Sequence, residues 1–212
     1  MKRIAITLCI VFLGIIAFTH YKNYKRFNPP TLYTYTLRTD IDAQYHDPAV
    51  LLAYYENARR LPMMAREQWY NQDIDVLTPD HENQESVDAS EIFRKLQATT
   101  DAQGARLAYS AQLKKLGFSN AEIREIELKG LSAFQAFVLK KALKLPLQRG
   151  DQNGSVWELQ HLLVGLGYTM PVDGNFVQET ESAVKAFQQK NKLYPSGVAD
   201  EATMILLLQT TK

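Results

Sequence analysis

Residues 147–208 read LQRGDQNGSVWELQHLLVGLGYTMPVDGNFVQETESAVKAFQQKNKLYPSGVADEATMILLL, and this stretch decides the fold of the C-terminal part of the chain. Its apolar residues recur at spacings of three and four, which is the pattern of short amphipathic helices. Three helices are predicted. The first begins at a Ser155 cap and ends at Gly167, the second begins near Glu179, and the third begins at an Asp200 cap.

The inner faces of these three helices supply a predicted core. Its members are Val156, Leu159, Leu162, Leu163, Leu166, Ala183, Val184, Phe187, Met204, Leu207 and Leu208. Gln160 and Gln188 lie on the same helices, and a buried amide must find hydrogen-bond partners. We therefore expect both glutamines to bind the backbone of the loops. Each loop contains a glycine, Gly174 or Gly197, that can adopt a positive φ.

The series of motifs in residues 146–212 resembles the peptidoglycan-binding domain family, a three-helix module of cell-wall enzymes and wall-associated proteins. The matching residues are Gly150-Asp151, Val156, Leu159-Gln160, Leu163, Leu166-Gly167-Tyr168, Val172-Asp173-Gly174, Phe176, Thr180, Ala183-Val184, Phe187-Gln188, Leu193, Gly197-Val198 and Thr203. The resemblance implies a helical wall-binding module whose ligand is peptidoglycan.

Loop residues of this module are the candidate ligand contacts, because they combine aromatic and polar groups. They are Tyr168, Asp173, Gly174, Asn175, Phe176 and Tyr194. Tyrosine can stack on a sugar ring while its hydroxyl binds a polar group, and Asp173 and Asn175 can pair with amide or hydroxyl groups. In the alternative interpretation Asp173 only shapes its turn, since Asp before Gly is a common turn pair.

Residues 47–145 are predicted to form a helical domain of unknown function. Its helices are expected to begin at the Asp47 cap, at Pro62, near Asp88 and at the Ser119 capping box, and the last is expected to end before Pro146. Aromatic residues at helical spacing predict core, although a sugar-stacking face is the alternative. These residues are Tyr54, Tyr55, Trp69 and Tyr70.

The same region contains no pattern of catalytic or metal-binding chemistry. It has no HExxH pair, no Gly-x-Ser-x-Gly elbow and no glycine-rich phosphate loop. Cys9 is the only cysteine, which excludes an intrachain disulfide. The protein is accordingly predicted to be no enzyme and to need neither a metal nor a cofactor.

The N-terminal segment, residues 1–27, is predicted to be a signal anchor or transmembrane helix. Ile4 to Thr19 carries no charge and is bracketed by basic residues, and His20 and Tyr21 extend it towards the length of a membrane span. A cleaved secretory signal remains the alternative. Residues 28–46 are predicted to be an extended linker, because Asn28-Pro29-Pro30 interrupts any helix.

Charge is unevenly distributed, since all 23 acidic side chains follow residue 26. The body of the protein therefore has no basic stripe, and nucleic acid is excluded as a partner.

The sequence as a whole predicts an all-α protein with an N-terminal membrane helix, a helical middle bundle and a small three-helix C-terminal module. The expected protein is a membrane-anchored, non-catalytic peptidoglycan-binding protein that positions its middle domain at the cell wall, where that domain can meet a protein partner. Its expected location is the bacterial cytoplasmic membrane, with one span and a periplasmic body. The alternatives are a wall hydrolase or accessory subunit with an unrecognised catalytic middle domain, and a protein–protein interaction module that has lost wall binding.

Overall fold

The computed structural model describes the backbone of residues 2–211 and the side chains of residues 9–211. The helices are α1 (Lys2–Phe27), α2 (Pro48–Gln72), α3 (Gln84–Lys115), α4 (Asn120–Leu128), α5 (Ala133–Phe137), a π-helix (Val138–Ala142), α6 (Gly154–Gly165), α7 (Gln178–Lys190) and α8 (Glu201–Thr210). Within the described residues there is no strand, only two isolated β-bridges. The all-α class is therefore confirmed.

The chain divides into two compact units, residues 1–111 and residues 112–212. The division falls within α3. The boundaries expected from the sequence, at residues 27, 46 and 145, stay a prediction.

The prediction of an N-terminal membrane helix is wrong. Among the residues that the structure describes, no helix combines the length and the apolar character that crossing a bilayer requires. The uncharged run from Ile4 to Thr19 is shorter than a span of about 20 residues, and the rest of α1 carries Lys22, Lys25 and Arg26. Counting His20 and Tyr21 as apolar was the error in the prediction.

The predicted location is wrong for the same reason. A single-pass protein of the bacterial cytoplasmic membrane with a periplasmic body needs a spanning segment, and none is found among the described residues. Membrane attachment through the N-terminal helix is likewise unsupported. The C-terminal end of α1 instead packs on α2, where the Trp69 indole donates a hydrogen bond of 2.9 Å to the Lys25 carbonyl.

The core of the first unit forms between α2, the part of α3 up to residue 111, and the extended segment before α2. One cluster contains Tyr33, Leu61, Ala65, Trp69, Ile74, Val76, Ala89 and Phe93, and a second contains Tyr45, Tyr54 and Leu107. Tyr54 and Trp69 are buried, as the core interpretation of the aromatic residues predicts, whereas Tyr55 and Tyr70 are exposed and that interpretation is wrong for them. Residues 31–39 contain no regular structure, yet Tyr33 fixes them to the core.

Helix α2 begins where the sequence predicts, because the Asp47 carboxylate accepts a hydrogen bond from the Ala49 amide at 3.0 Å. It does not restart at Pro62, which lies inside one continuous helix. A proline in a helix interior costs about 3 kcal/mol. Burial of Leu61 and Ala65 on either side of it supplies the packing that offsets this cost.

Helix α3 begins at Gln84 and not near Asp88, since the Asn83 side chain accepts a hydrogen bond from the Glu85 amide at 3.0 Å. Gly104 does not interrupt it. A Cβ at Gly104 would lie 3.0 Å from Cε2 of Tyr54. The glycine is therefore explained by the close approach of that ring.

In the second unit, the predicted final helix is divided into α4, α5 and the π-helix. The Ser119 capping box is confirmed at the start of α4, and Gly130, at φ 62°, follows its end. A second capping box joins Ser132 and Gln135 at the start of α5.

Helix α8 is held to these elements by polar contacts. The Gln135 amide donates a hydrogen bond of 2.7 Å to the Leu208 carbonyl. The Glu201 carboxylate lies 2.6 Å from the Lys129 ammonium and 2.9 Å from the Lys140 ammonium. The hydrogen bond from Lys129, followed by that from Lys140, holds the pKa of Glu201 below its ordinary value. The compact unit that contains the module thus includes residues that precede position 146.

We expect a fragment of residues 112–212 to unfold at a higher temperature than one of residues 146–212. The shorter fragment loses the Gln135–Leu208 hydrogen bond, and one such bond contributes about 1 kcal/mol, or about 4–8 °C in a domain of this size. Thermal denaturation followed by circular dichroism measures the difference. Gln135→Ala should lower the melting temperature of the longer fragment, and Gln189→Ala, at an exposed glutamine, should not. Equal melting temperatures of the two fragments would contradict the expectation.

Candidate functional site

The first loop of the C-terminal module, residues 172–176, is fixed from beneath by one buried side chain. The Gln160 amide oxygen accepts hydrogen bonds from the amides of Asp173 at 3.0 Å and Gly174 at 2.8 Å. Its amide nitrogen donates to the Asn175 carbonyl at 2.9 Å and to the Thr180 hydroxyl at 3.1 Å. The predicted role of Gln160 is confirmed, and the backbone of the loop has little freedom left.

The second loop, residues 194–199, is held in the same way by Gln188. Its amide oxygen accepts from the Gly197 amide at 2.9 Å. Its amide nitrogen donates to the Val198 carbonyl at 2.9 Å and to the Thr203 hydroxyl at 3.0 Å. The two loops therefore repeat one device, in which a buried glutamine binds loop backbone and a threonine of the next helix.

The segment before α6, residues 147–153, pairs with both loops. Leu147 exchanges two backbone hydrogen bonds with Ala199, of 3.0 and 2.8 Å. Further along, the Asn153 amide donates to the Gly174 carbonyl at 3.1 Å, and the Phe176 amide donates to the Asp151 carbonyl at 2.8 Å. The loops, the segment and the helix starts consequently form one hydrogen-bonded layer.

Of the caps predicted for α6 and α8, only the second agrees with the structure. Asp200 caps α8 as predicted, because its carboxylate accepts from the Thr203 amide at 2.8 Å. Asn153, and not Ser155, caps α6, since its side chain accepts from the amides of Ser155 and Val156. The Ser155 hydroxyl instead accepts a hydrogen bond from the Lys144 amide at 3.0 Å, which ties α6 to the preceding chain.

The predicted contact residues have different environments. Asp173 is exposed, Tyr168 and Asn175 are partly exposed, and Tyr194 is 84 % exposed. Gly174 and Phe176 are buried, with 1 % of Phe176 accessible. Asp173 to Phe176 share the first loop, Tyr168 follows the end of α6, and Tyr194 belongs to the second loop.

Electrostatics of the first loop centre on Asp173. Its carboxylate accepts a hydrogen bond of 2.9 Å from the Asn175 amide and one of 3.2 Å from the Gln160 amide. These bonds, that from the Asn175 backbone foremost, lower the pKa of Asp173 from its ordinary value. Asp173 is therefore ionised at neutral pH and offers an exposed acceptor to a ligand.

One aromatic pair beside this loop was not predicted from the sequence. Trp157 and His161, one turn apart on α6, stack with their rings 5.3 Å apart between centroids and 3° from parallel. Trp157 is 45 % exposed. The signal was present, because neither residue falls on the apolar face of α6 defined by Val156, Leu159 and Leu163.

Comparison with known proteins identifies the module. Residues 152–207 match the model of the family described as "Putative peptidoglycan binding domain". A solved structure entitled "The crystal structure of SleB N-terminal domain" is 39 % identical over 32 % of this chain and 94 % of that chain, with a TM-score of 0.32. No curated protein matches the chain. The family match confirms the predicted resemblance to the peptidoglycan-binding domain family for the C-terminal region.

Removal of the Gln160 side chain should destabilise the module and loosen the first loop. Gln160→Ala leaves the part-buried amide of Asp173 and the buried amide of Gly174 without their partner, at a cost of about 2–4 kcal/mol in the free energy of unfolding. Chemical denaturation measures this free energy, and hydrogen exchange should show faster exchange at the two amides. The exposed Gln178→Ala serves as a control that changes neither. Unaltered exchange at Asp173 and Gly174 would show that Gln160 does not fix the loop.

Proposed function

We propose, from the membership of residues 152–207 in the peptidoglycan-binding domain family, that this protein binds the cell wall non-catalytically through its C-terminal module. The observation that carries the proposal is the hydrogen-bonded attachment of the first loop to Gln160. Binding then needs little ordering of the protein, and a pre-organised loop loses less entropy when it meets its ligand.

The proposed contacts are the side chains of the first loop that reach solvent, together with Tyr168, which follows α6, and Tyr194 of the second loop. The Asp173 carboxylate accepts hydrogen bonds from hydroxyl or amide groups of the wall polymer, and the Asn175 amide can both donate and accept. Tyr168 and Tyr194 add aromatic surface. Gly174 and Phe176 support these contacts from within, since both are buried.

Wall binding without cleavage is the second part of the proposal. Glycoside hydrolysis by a pair of carboxyl groups requires one acid whose pKa is raised, so that it is protonated when it donates to the leaving group. In the C-terminal module, residues 146–211, the carboxyl groups with displaced pKa values all shift downwards, and they are Asp173, Glu181 and Glu201. Within the module, this direction favours ionised groups that bind over a protonated acid that catalyses.

We further propose that the module places the preceding helical residues at the wall. The polar contacts of α8 with Lys129, Gln135 and Lys140 support this part, because they bind the module to the helices that precede it in the same unit. We also propose that the middle region binds a protein partner.

The purified full chain should co-sediment with purified sacculi, and variants of the proposed contact residues should be retained less. Asn175→Ala and Tyr168→Ala each remove one contact, for which we expect about a threefold to tenfold loss of affinity. Asp173→Asn keeps an acceptor for the turn but removes the charge. Glu179→Gln, at an exposed acid of the same module, is the matched control.

Each variant must first show cooperative unfolding like that of the parent. Folded variants that all bind as the parent does would place the site elsewhere on the module, and a parent that fails to sediment would refute wall binding itself. Release of soluble muropeptides or glycan fragments from sacculi incubated with the full chain would contradict the non-catalytic part.

A further inference from the structure

The outer face of α6 carries an exposed stripe that no packing in the module explains. Trp157, His161 and Val164 are spaced by four and three residues, so they lie along one side of the helix. All three are exposed, Trp157 to 45 % and Val164 to 39 %. An exposed apolar stripe of this kind marks a contact surface more often than isolated apolar residues do.

The rings of the stripe are held in a defined orientation. Trp157 and His161 are stacked 3° from parallel with centroids 5.3 Å apart, which is an offset arrangement of the kind that aromatic pairs prefer. The imidazole restricts rotation of the indole.

The stripe adjoins the first loop. A Cβ placed on Gly174 would lie 3.7 Å from Cβ of Trp157 and 3.2 Å from the Asn153 carbonyl oxygen. The backbone of the loop thus passes directly over the start of α6, at the base of the indole. The indole therefore begins next to the loop that carries Asp173 and Asn175.

A flat aromatic ring beside hydrogen-bonding groups matches the two-sided chemistry of a sugar ring. The C–H groups of a pyranose form an apolar face that packs on an indole, while its hydroxyl and N-acetyl groups project outwards from the rim and need polar partners. A stem peptide offers no comparable flat apolar face at each repeat.

We propose that Trp157, braced by His161, is a stacking platform for a sugar ring of the glycan strand, with the first loop binding groups on the rim of that ring. The inference rests on the proposed wall binding and names the part of the polymer that is held. It adds Trp157 and His161 to a site for which the sequence had suggested only loop residues.

Two variants of the full chain distinguish stacking by an aromatic ring from a contact that depends only on side-chain size. Trp157→Ala should reduce retention on sacculi about tenfold, whereas Trp157→Phe, which keeps an aromatic ring, should retain most of it. Phe134→Ala is the matched control, because Phe134 is an aromatic residue of the same unit that is 71 % exposed. Because Trp157 is exposed, its truncation should leave the melting temperature nearly unchanged, which circular dichroism verifies.

A second ligand identifies the part of the polymer. Glycan strands stripped of stem peptides by an amidase should still retain the parent chain, and Trp157→Ala should lose this retention. If the parent binds sacculi and folded Trp157→Ala binds them equally, the platform is refuted while wall binding stands. If the parent binds sacculi but not the stripped strands, stacking on sugar is refuted. If the parent binds neither, the proposed function and this inference both fail.

Discussion

The hydrogen-bonding requirement of two buried glutamines is the constraint on which the C-terminal module depends. Gln160 and Gln188 are each at most 1 % exposed. An amide so deeply buried costs free energy unless its oxygen and its nitrogen both find partners. Loop backbone supplies those partners in both cases. The same bonds that satisfy the glutamines therefore fix loops which would otherwise be free to move.

This constraint connects local structure to the proposed binding surface. Because Gln160 binds the backbone of Asp173, Gly174 and Asn175, the loop is fixed while the side chains of Asp173 and Asn175 still reach solvent. The chain before α6 then pairs with the outer edges of both loops. A site built in this way gains its rigidity from the core and leaves its chemistry to exposed groups, which is the arrangement that binding surfaces on small scaffolds require.

Much of the structure of the module could be predicted from the sequence, and the predictions that were wrong have physical causes. The roles of Gln160, Gln188 and the Asp200 cap follow from local rules about buried amides and helix starts. The caps of α6 and α3 were misplaced because Ser, Asn and Asp compete for the same position, and only the path of the chain decides between them. Continuity through Pro62 depends on tertiary packing, which outweighs a local propensity. The membrane helix was predicted by extending an apolar run into polar residues.

The candidate site, too, was predicted only where local sequence patterns identify its residues. Loop residues were identified because their types and order form a pattern, whereas Trp157 and His161 lie outside that pattern and are related to the loop only through the fold. The structure also distinguishes the two glutamine-bound loops, which the sequence presents as near equivalents. A Cβ at Gly197 would come within 2.8 Å of side-chain carbons of both Glu181 and Lys185. These side chains, which are hydrogen-bonded to each other, cover Gly197 of the second loop.

The corresponding position of the first loop, Gly174, faces instead the backbone of Asn153 and the Cβ of Trp157. A charged pair that covers a loop must be displaced before a ligand can reach the backbone, and both hydrated charges resist that displacement. A rigid aromatic surface next to a loop requires no such step. Both loops are fixed by a buried glutamine. The side chains next to Gly174 and Gly197 differ, and this difference directs the proposed ligand to the first loop.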